Sequence, residues 1–297
     1  MDVDQIRINL DQSTLSLLNF CLAFLTFGVA LDIRLSDFAQ IAEHPRKVLI
    51  GLTAQWILLP LWTLFLIFIF QPPASIALGL VLVAACPGGN ISNYATHLSK
   101  ANAALSVTLT SLVTLLAIFS TPLLFRICAK LTPGAAQLLT EISIDPAAVI
   151  YAIVFLILSP LLLGLLLANC FPRLAQKIRK PVRFISLLIF AGMIAGALYA
   201  NFDNIVQYLK LVFGIVLVHN AVAFVIGFYF SKMNSLPNYD ARAVAMETGV
   251  QNAGLGLILV FNFFEGLGGM ALVTAWWGVW NLVAAFGLAS WWARRPV

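Results

Sequence analysis

The chain has 297 residues, 61% hydrophobic and 10% charged, with a formal net charge of +5 and a mean hydropathy of +0.97. Soluble domains carry about 25% charged residues, so a water-facing globule is excluded. The basic residues lie in short loops between apolar runs, where bilayer topology explains them and a nucleic-acid partner does not.

Residues 1–13 hold Asp2, Asp4 and Asp11 against Arg7 alone, the wrong charge for the start of a signal peptide. The first apolar stretch is therefore expected to remain as a helix. A spanning helix takes about 20 residues, and apolar helices are predicted near 14–32, 47–70, 74–98, 103–130, 146–170, 183–201, 206–231, 240–264 and 268–292. Their breaks are marked by Glu43–Lys47, Gln71-Pro72-Pro73 and the basic run from Pro172 to Pro181. The expectation is an all-α polytopic membrane protein, a single transmembrane domain over 1–297 with about nine transmembrane helices and no sizeable soluble domain. Cys21, Cys86, Cys128 and Cys170 have no paired spacing and read as small apolar side chains.

With nine spans, Arg34, Arg46, Lys47, Lys100, the basic residues of 173–183, Lys232, Arg242, Arg294 and Arg295 fall on one side. Arg7, Arg126, Lys130 and Lys210 fall on the other. The positive-inside rule then sets the N-terminus outside and the C-terminus inside.

Two spans are unlike the rest. The third contains Cys86-Pro87-Gly88-Gly89-Asn90-Ile91-Ser92-Asn93, and the eighth Glu247-Thr248-Gly249-Val250-Gln251-Asn252-Ala253-Gly254. Glycine and proline weaken a helix, so both stretches should unwind. Unwound backbone must line an enclosed or watery cavity rather than lipid. Residues 47–130 and 206–292 share the pattern helix, interrupted helix, helix, with two helices between them. That spacing makes an inverted repeat, whose paired breaks point to a transporter's binding site. Close helix packing is the competing use of such glycines.

Glu247 is the one acidic residue placed well inside a span, where a charge costs about 2.5 kcal/mol or more. No Lys or Arg is placed at its depth, which makes a bound cation or a carried proton the candidate partner. Ser92, Asn93, Ser106, Thr110, Gln55 and Gln251 supply hard oxygens, and such a set favours sodium over a transition metal. Any single Ser or Thr can instead bond its own helix backbone. The half-helix starting near Ile91 turns its N–H groups toward the cavity, and Asn90 and Asn252 flank the breaks, so an organic anion is the expected solute. Trp276, Trp277 and Trp280, beside Asn281, are candidate walls, with an interfacial lipid-facing position as the other reading of each.

The motifs at 86–93, Ala104–Ser111 and 247–254 resemble those of the bile acid:sodium symporter family, and the resemblance runs from Gly28 to the last helix. It implies a core of about 47–130 and 206–292 against a panel of about 14–32 and 146–201. It also implies two sodium sites, one of Ser92, Asn93, Ser106, Thr110 and Glu247, and one of Gln55, Glu247, Gln251 and the carbonyls of Thr248 and Val250. Substrate would touch Asn90, the amides near Ile91, and Asn252, with Asn281 in the last helix. Nine spans match the family's mammalian pattern, whereas several bacterial members carry an extra first helix. Some bacterial members place a His-Asn pair where this chain has Trp280-Asn281, which leaves a bile acid and smaller carboxylates such as pantoate or a 2-keto acid as substrates. Short loops suit a bacterial inner membrane. Proton coupling is the alternative mechanism. An intramembrane enzyme would need a nucleophile beside His219-Asn220, and none is evident in sequence. A receptor, which binds without accumulating solute, is a third class.

Overall fold

The computed structural model describes residues 3–8, 12–31, 43–89, 91–141, 154–200 and 202–296. Among these the chain is helical and turn-linked, with two isolated antiparallel bridges, Arg7 to Leu267 and Gly88 to Gln251. It is an all-α membrane protein. Pro45–Phe70, Ala103–Lys130, Val212–Met233 and Gly268–Ala293 are each long and apolar enough to cross a bilayer. Their outward residues are bulky and apolar, as Phe65, Phe68, Phe119 and Leu123 are, while Gln55, Ser92, Ser106, Asn220 and Glu247 are buried. That inversion of the soluble pattern is what a hydrocarbon solvent selects.

Helix α1 covers Gln12–Ala30 and α2 Pro45–Phe70. Within α2 a π-helical turn at Ala54–Leu58 precedes Pro60, and Leu59 N–H reaches back to the Ala54 carbonyl. Proline has no N–H for the regular ladder, so the extra residue of a π-turn is accommodated there. The same device recurs at Val154–Leu158 before Pro160. Helices α3 (Ala74–Ala85) and α4 (Ile91–Leu98) divide the third apolar run. At 1.5 Å per residue α3 is about 18 Å long and needs α4 to complete a membrane-deep path. Helix α5 is Ala103–Lys130, and α6 (Ala135–Glu141) is a short helix laid against α3 that the apolar pattern does not signal.

Helices α7 (Ser159–Cys170) and α8 (Pro172–Ala200) follow. Residues 146–153 of the fifth expected helix lie outside the described residues. The sixth differs from expectation: α8 starts at Pro172 rather than near 183 and continues through Pro181. Proline at a first helical position loses no bond, and Arg173, Lys177 and Lys180 project from these turns as a charged end. Helix α9 is Phe202–Met233, also four residues earlier than expected. Helices α10 (Asn238–Gly249) and α11 (Ala253–Phe263) divide the eighth run, and α12 is Gly268–Ala293.

In the packing, α1 lies against α7 and α8, while α3, α9 and α12 lie together and α10 meets α4, α5 and α9. The N-terminal residues close one end. Ile8 N–H donates to Gly266 O at 2.8 Å, Gly268 N–H donates to Ile6 O at 2.9 Å, and the Asp4 carboxylate accepts from Ala74 N and Ser75 N at the start of α3. Cys21, Cys86 and Cys128 are buried free thiols and Cys170 is an exposed one.

Candidate functional site

The two helix interruptions meet. Gly89 N–H donates to Val250 O at 2.9 Å, and Asn252 N–H donates to Pro87 O at 2.9 Å. Pro87 cannot continue α3, so the chain leaves it extended and pairs with the equally extended Val250 and Gln251. Buried amides and carbonyls released by the breaks thus satisfy one another across the crossing.

Glu247, in the last turn of α10, reaches into the crossing and is 1% exposed. Its Oε2 accepts from Ser92 Oγ at 2.6 Å and from Thr110 Oγ1 at 2.7 Å. Its Oε1 is buried with no hydrogen-bond partner. That oxygen lies against Gly88, where any Cβ would collide with it. Asn93 Oδ1 accepts from Ser106 Oγ at 2.8 Å and lies 3.1 Å from Thr110 Oγ1, and Thr96 Oγ1 donates to Ser106 Oγ at 3.2 Å. Ser92, Asn93, Ser106, Thr110 and Glu247 therefore form one linked cluster, with α4, α5 and α10 contributing. Ser106 and Thr110 share a face of α5 because they are four residues apart.

A second group adjoins it. Gln55 sits in the π-turn of α2, 1% exposed, and its Nε2 approaches Gln251 Oε1 at 3.5 Å. Gln251 Nε2 donates to Thr248 O at 2.9 Å, and Gln55 Oε1 has no partner. The Thr248 and Val250 carbonyls each accept one hydrogen bond, which leaves each a lone pair. Glu247 has no ion pair among the described residues, where the one salt bridge joins Lys47 Nζ to Asp240 Oδ2 at 2.8 Å.

Two charges are deeper than the sequence suggests. Asp240 and Arg242, in the first turns of α10, are 1% and 4% exposed. Arg242 does not serve Glu247. Its guanidinium donates to Ser99 O, Trp292 O and Pro296 O and stacks on Trp292, fastening α4 and α12 at the opposite end of α10.

Of the residues expected to face substrate, Asn90 lies outside the described residues and Ile91 opens α4. Asn252 is the N-cap of α11, its Oδ1 accepting from Leu255 N at 3.1 Å, a bond that does not use its side-chain N–H groups. Asn281 is 3% exposed and donates to Gln251 O at 3.0 Å, so it is directed at the crossing. Trp277 is fully buried and donates to His219 Nδ1 at 3.1 Å, which makes it core rather than a cavity wall. Trp276 and Trp280 are partly buried and pack on Phe213. Thr96, Asn220 and Thr63 were not singled out from sequence as members of this polar interior. Thr96 could have been, since it is four residues after Ser92 on the same face of α4.

A model of the sodium bile acid symporter family matches residues 19–208. The chain is 31% identical over 280 residues to the uncharacterized sodium-dependent transporter YocS of Bacillus subtilis, an overlap of 94% of this chain and 84% of that one. It is 30% identical over 276 residues to the probable sodium/metabolite cotransporter BASS2, chloroplastic, of Oryza sativa, covering 86% of this chain and 62% of the plant protein. A chloroplastic BASS3 of Arabidopsis thaliana is 31% identical over 277 residues, 91% of this chain and 60% of that protein. The chain therefore spans about three-fifths of these plant relatives. All are named for transport with sodium, and none for an enzymatic reaction.

Proposed function

The chain belongs to the sodium bile acid symporter family, and from that premise we propose that it is a sodium-coupled symporter of a bacterial cell membrane, importing an organic anion by alternating access. The observation that carries this reading is Glu247: a buried carboxylate with one oxygen unpartnered, ringed by hydroxyl and amide oxygens, with no cation beside it among the described residues. An ionised carboxylate in that setting is costly without a counter-charge. A hard monovalent cation suits the all-oxygen surroundings.

In this reading sodium is a co-substrate. One ion is held by Ser92, Asn93, Ser106, Thr110 and Glu247, and a second by Gln55, Glu247, Gln251 and the Thr248 and Val250 carbonyls. Nine spans run with the N-terminus outside, and residues 47–130 and 206–292 form an inverted-repeat core. A panel of about 14–32 and 146–201 packs beside it. Sodium offsets the charge of Glu247 and organises both interruptions. The N-terminal end of α4 then carries the positive end of a helix dipole toward an anionic head, with Asn90, Ile91, Asn252 and Asn281 around it. The loaded core moves against the panel and releases inward. The substrate is a carboxylate, either a bile acid or a smaller acid such as pantoate or a 2-keto acid.

Proteoliposomes with an inward sodium gradient test this with radiolabelled taurocholate, pantoate and a 2-keto acid. Accumulation of at least one is expected with sodium and not with choline. Equal uptake in choline refutes sodium coupling, and uptake driven in choline by a pH gradient assigns the coupling to protons through Glu247.

A further inference from the structure

The interior holds a second polar device, away from the carboxylate. His219 on α9 is fully buried between two partners: Trp277 Nε1 donates to its Nδ1 at 3.1 Å, and its Nε2 lies 2.7 Å from Thr63 Oγ1. An indole N–H only donates, so Nδ1 carries the lone pair and Nε2 carries the proton. Nε2–H therefore donates to Thr63, whose own proton goes to Leu59 O at 2.8 Å. The relay runs in one direction through α12, α9 and α2 and sets their mutual height.

Each of these helices also aims an amide at the second interruption. Asn220, next to His219, donates to Gly249 O at 2.7 Å. Asn281, one turn beyond Trp277, donates to Gln251 O at 3.0 Å. Gln55, one turn before Leu59, approaches the Gln251 side chain. Gly249 is the flexible point among these targets, since glycine restricts its own backbone least. A side chain cannot stiffen it, because Phe224, one turn from Asn220, fills the space a Cβ would take. The two carbonyls that flank Gly249, those of Thr248 and Val250, are the ones assigned above to an ion.

Asn220 supplies the donor to the buried Gly249 carbonyl, while its own Oδ1 is buried without a partner. We propose that Asn220 is a positioning residue for the sodium site: by fixing the Gly249 carbonyl it holds the neighbouring Thr248 and Val250 carbonyls in the orientation an ion needs, and the Trp277–His219–Thr63 relay holds Asn220 at the right height. The inference rests on the sodium reading and deepens it.

The test is the sodium dependence of thermal unfolding of the full chain in detergent, titrated with sodium chloride against choline chloride. Asn220→Leu should raise the sodium concentration at half-effect by roughly tenfold or more, and also lower the choline melting temperature because the Gly249 carbonyl loses its donor. Thr63→Val should move the sodium midpoint in the same direction by a smaller factor. An Asn220→Leu protein that melts lower in choline but keeps the wild-type sodium midpoint overturns the proposal, because that is a structural role. If Asn220→Leu does not fold, Asn220→Ser is measured instead with the same criterion, and failure of both to fold counts against the proposal. Absence of any sodium response in the wild type is a different result, since it removes the sodium reading itself.

Discussion

Replacing Glu247 with glutamine tests the ion site with opposite signs in two conditions. Glutamine keeps the length of the side chain, and its carbonyl can accept the Ser92 and Thr110 hydroxyls that now meet Oε2 at 2.6 and 2.7 Å. What disappears is one negative charge in a site that is 1% exposed. Two unit charges about 4 Å apart at an effective dielectric near 20 interact by about 4 kcal/mol. At 1.36 kcal/mol per tenfold, losing that attraction weakens sodium binding roughly a thousandfold. Without sodium the same change removes an uncompensated buried charge worth about 2.5 kcal/mol or more, so the variant should melt a few degrees above wild type in choline. Wild type should gain about 2.7 kcal/mol at a sodium concentration a hundredfold above its dissociation constant. Glu247→Gln should gain nothing over the same titration. Scanning fluorimetry reads both arms through the tryptophans. A variant that keeps the wild-type sodium midpoint refutes the assignment of the carboxylate to the ion.

Gly88→Ala places a methyl group on Glu247 Oε1 and should raise the sodium midpoint at least tenfold by a thermal-shift titration, whereas Gly89→Ala, whose Cβ would sit 3.4 Å from Gln251 O, should change it far less. Lys47→Met leaves the buried Asp240 with Asn102 as its remaining partner. It should lower stability by about 1–3 kcal/mol, equally in sodium and choline, as read by the melting temperature in each salt.

The interruptions were legible because they violate helix chemistry in plain composition: Pro87-Gly88-Gly89 and Thr248-Gly249 have no reason to stand inside an apolar span. Part of the grouping near Glu247 is legible for a related reason: Ser92 and Asn93 directly follow the first break, and Ser106 and Thr110, four residues apart, share a face of α5. The π-turns were not legible. A π-turn changes which carbonyl an N–H reaches and leaves composition untouched, so Pro60 and Pro160 are its only trace. The start of α8 lies earlier than the basic run suggests because Pro172 takes a first helical position, where proline loses no bond, and Pro181 is carried inside the helix. That the Asn281 amide donates to the Gln251 carbonyl is likewise not legible, because a sequence does not say which of several nearby acceptors a buried amide takes.

The backbone through the second interruption is held at five points. Val250 N–H donates to Met246 O, Gly249 O accepts from Asn220, Val250 O accepts from Gly89 N–H, Gln251 O accepts from Asn281, and Asn252 N–H donates to Pro87 O. Fixing one residue's backbone costs about 1–2 kcal/mol in entropy. An ion arriving at an already fixed strand does not bear that cost, and more of its binding energy is left to act on whatever still moves. The Gly88 contact says where that energy goes. The carboxylate belongs to α10, but its unpartnered oxygen rests on the backbone between α3 and α4. A cation bound by that oxygen is shared by both interrupted helices, so its occupancy changes how strongly one is held to the other. That is the physical requirement for an ion to be coupled to the movement of a solute rather than merely stored beside it.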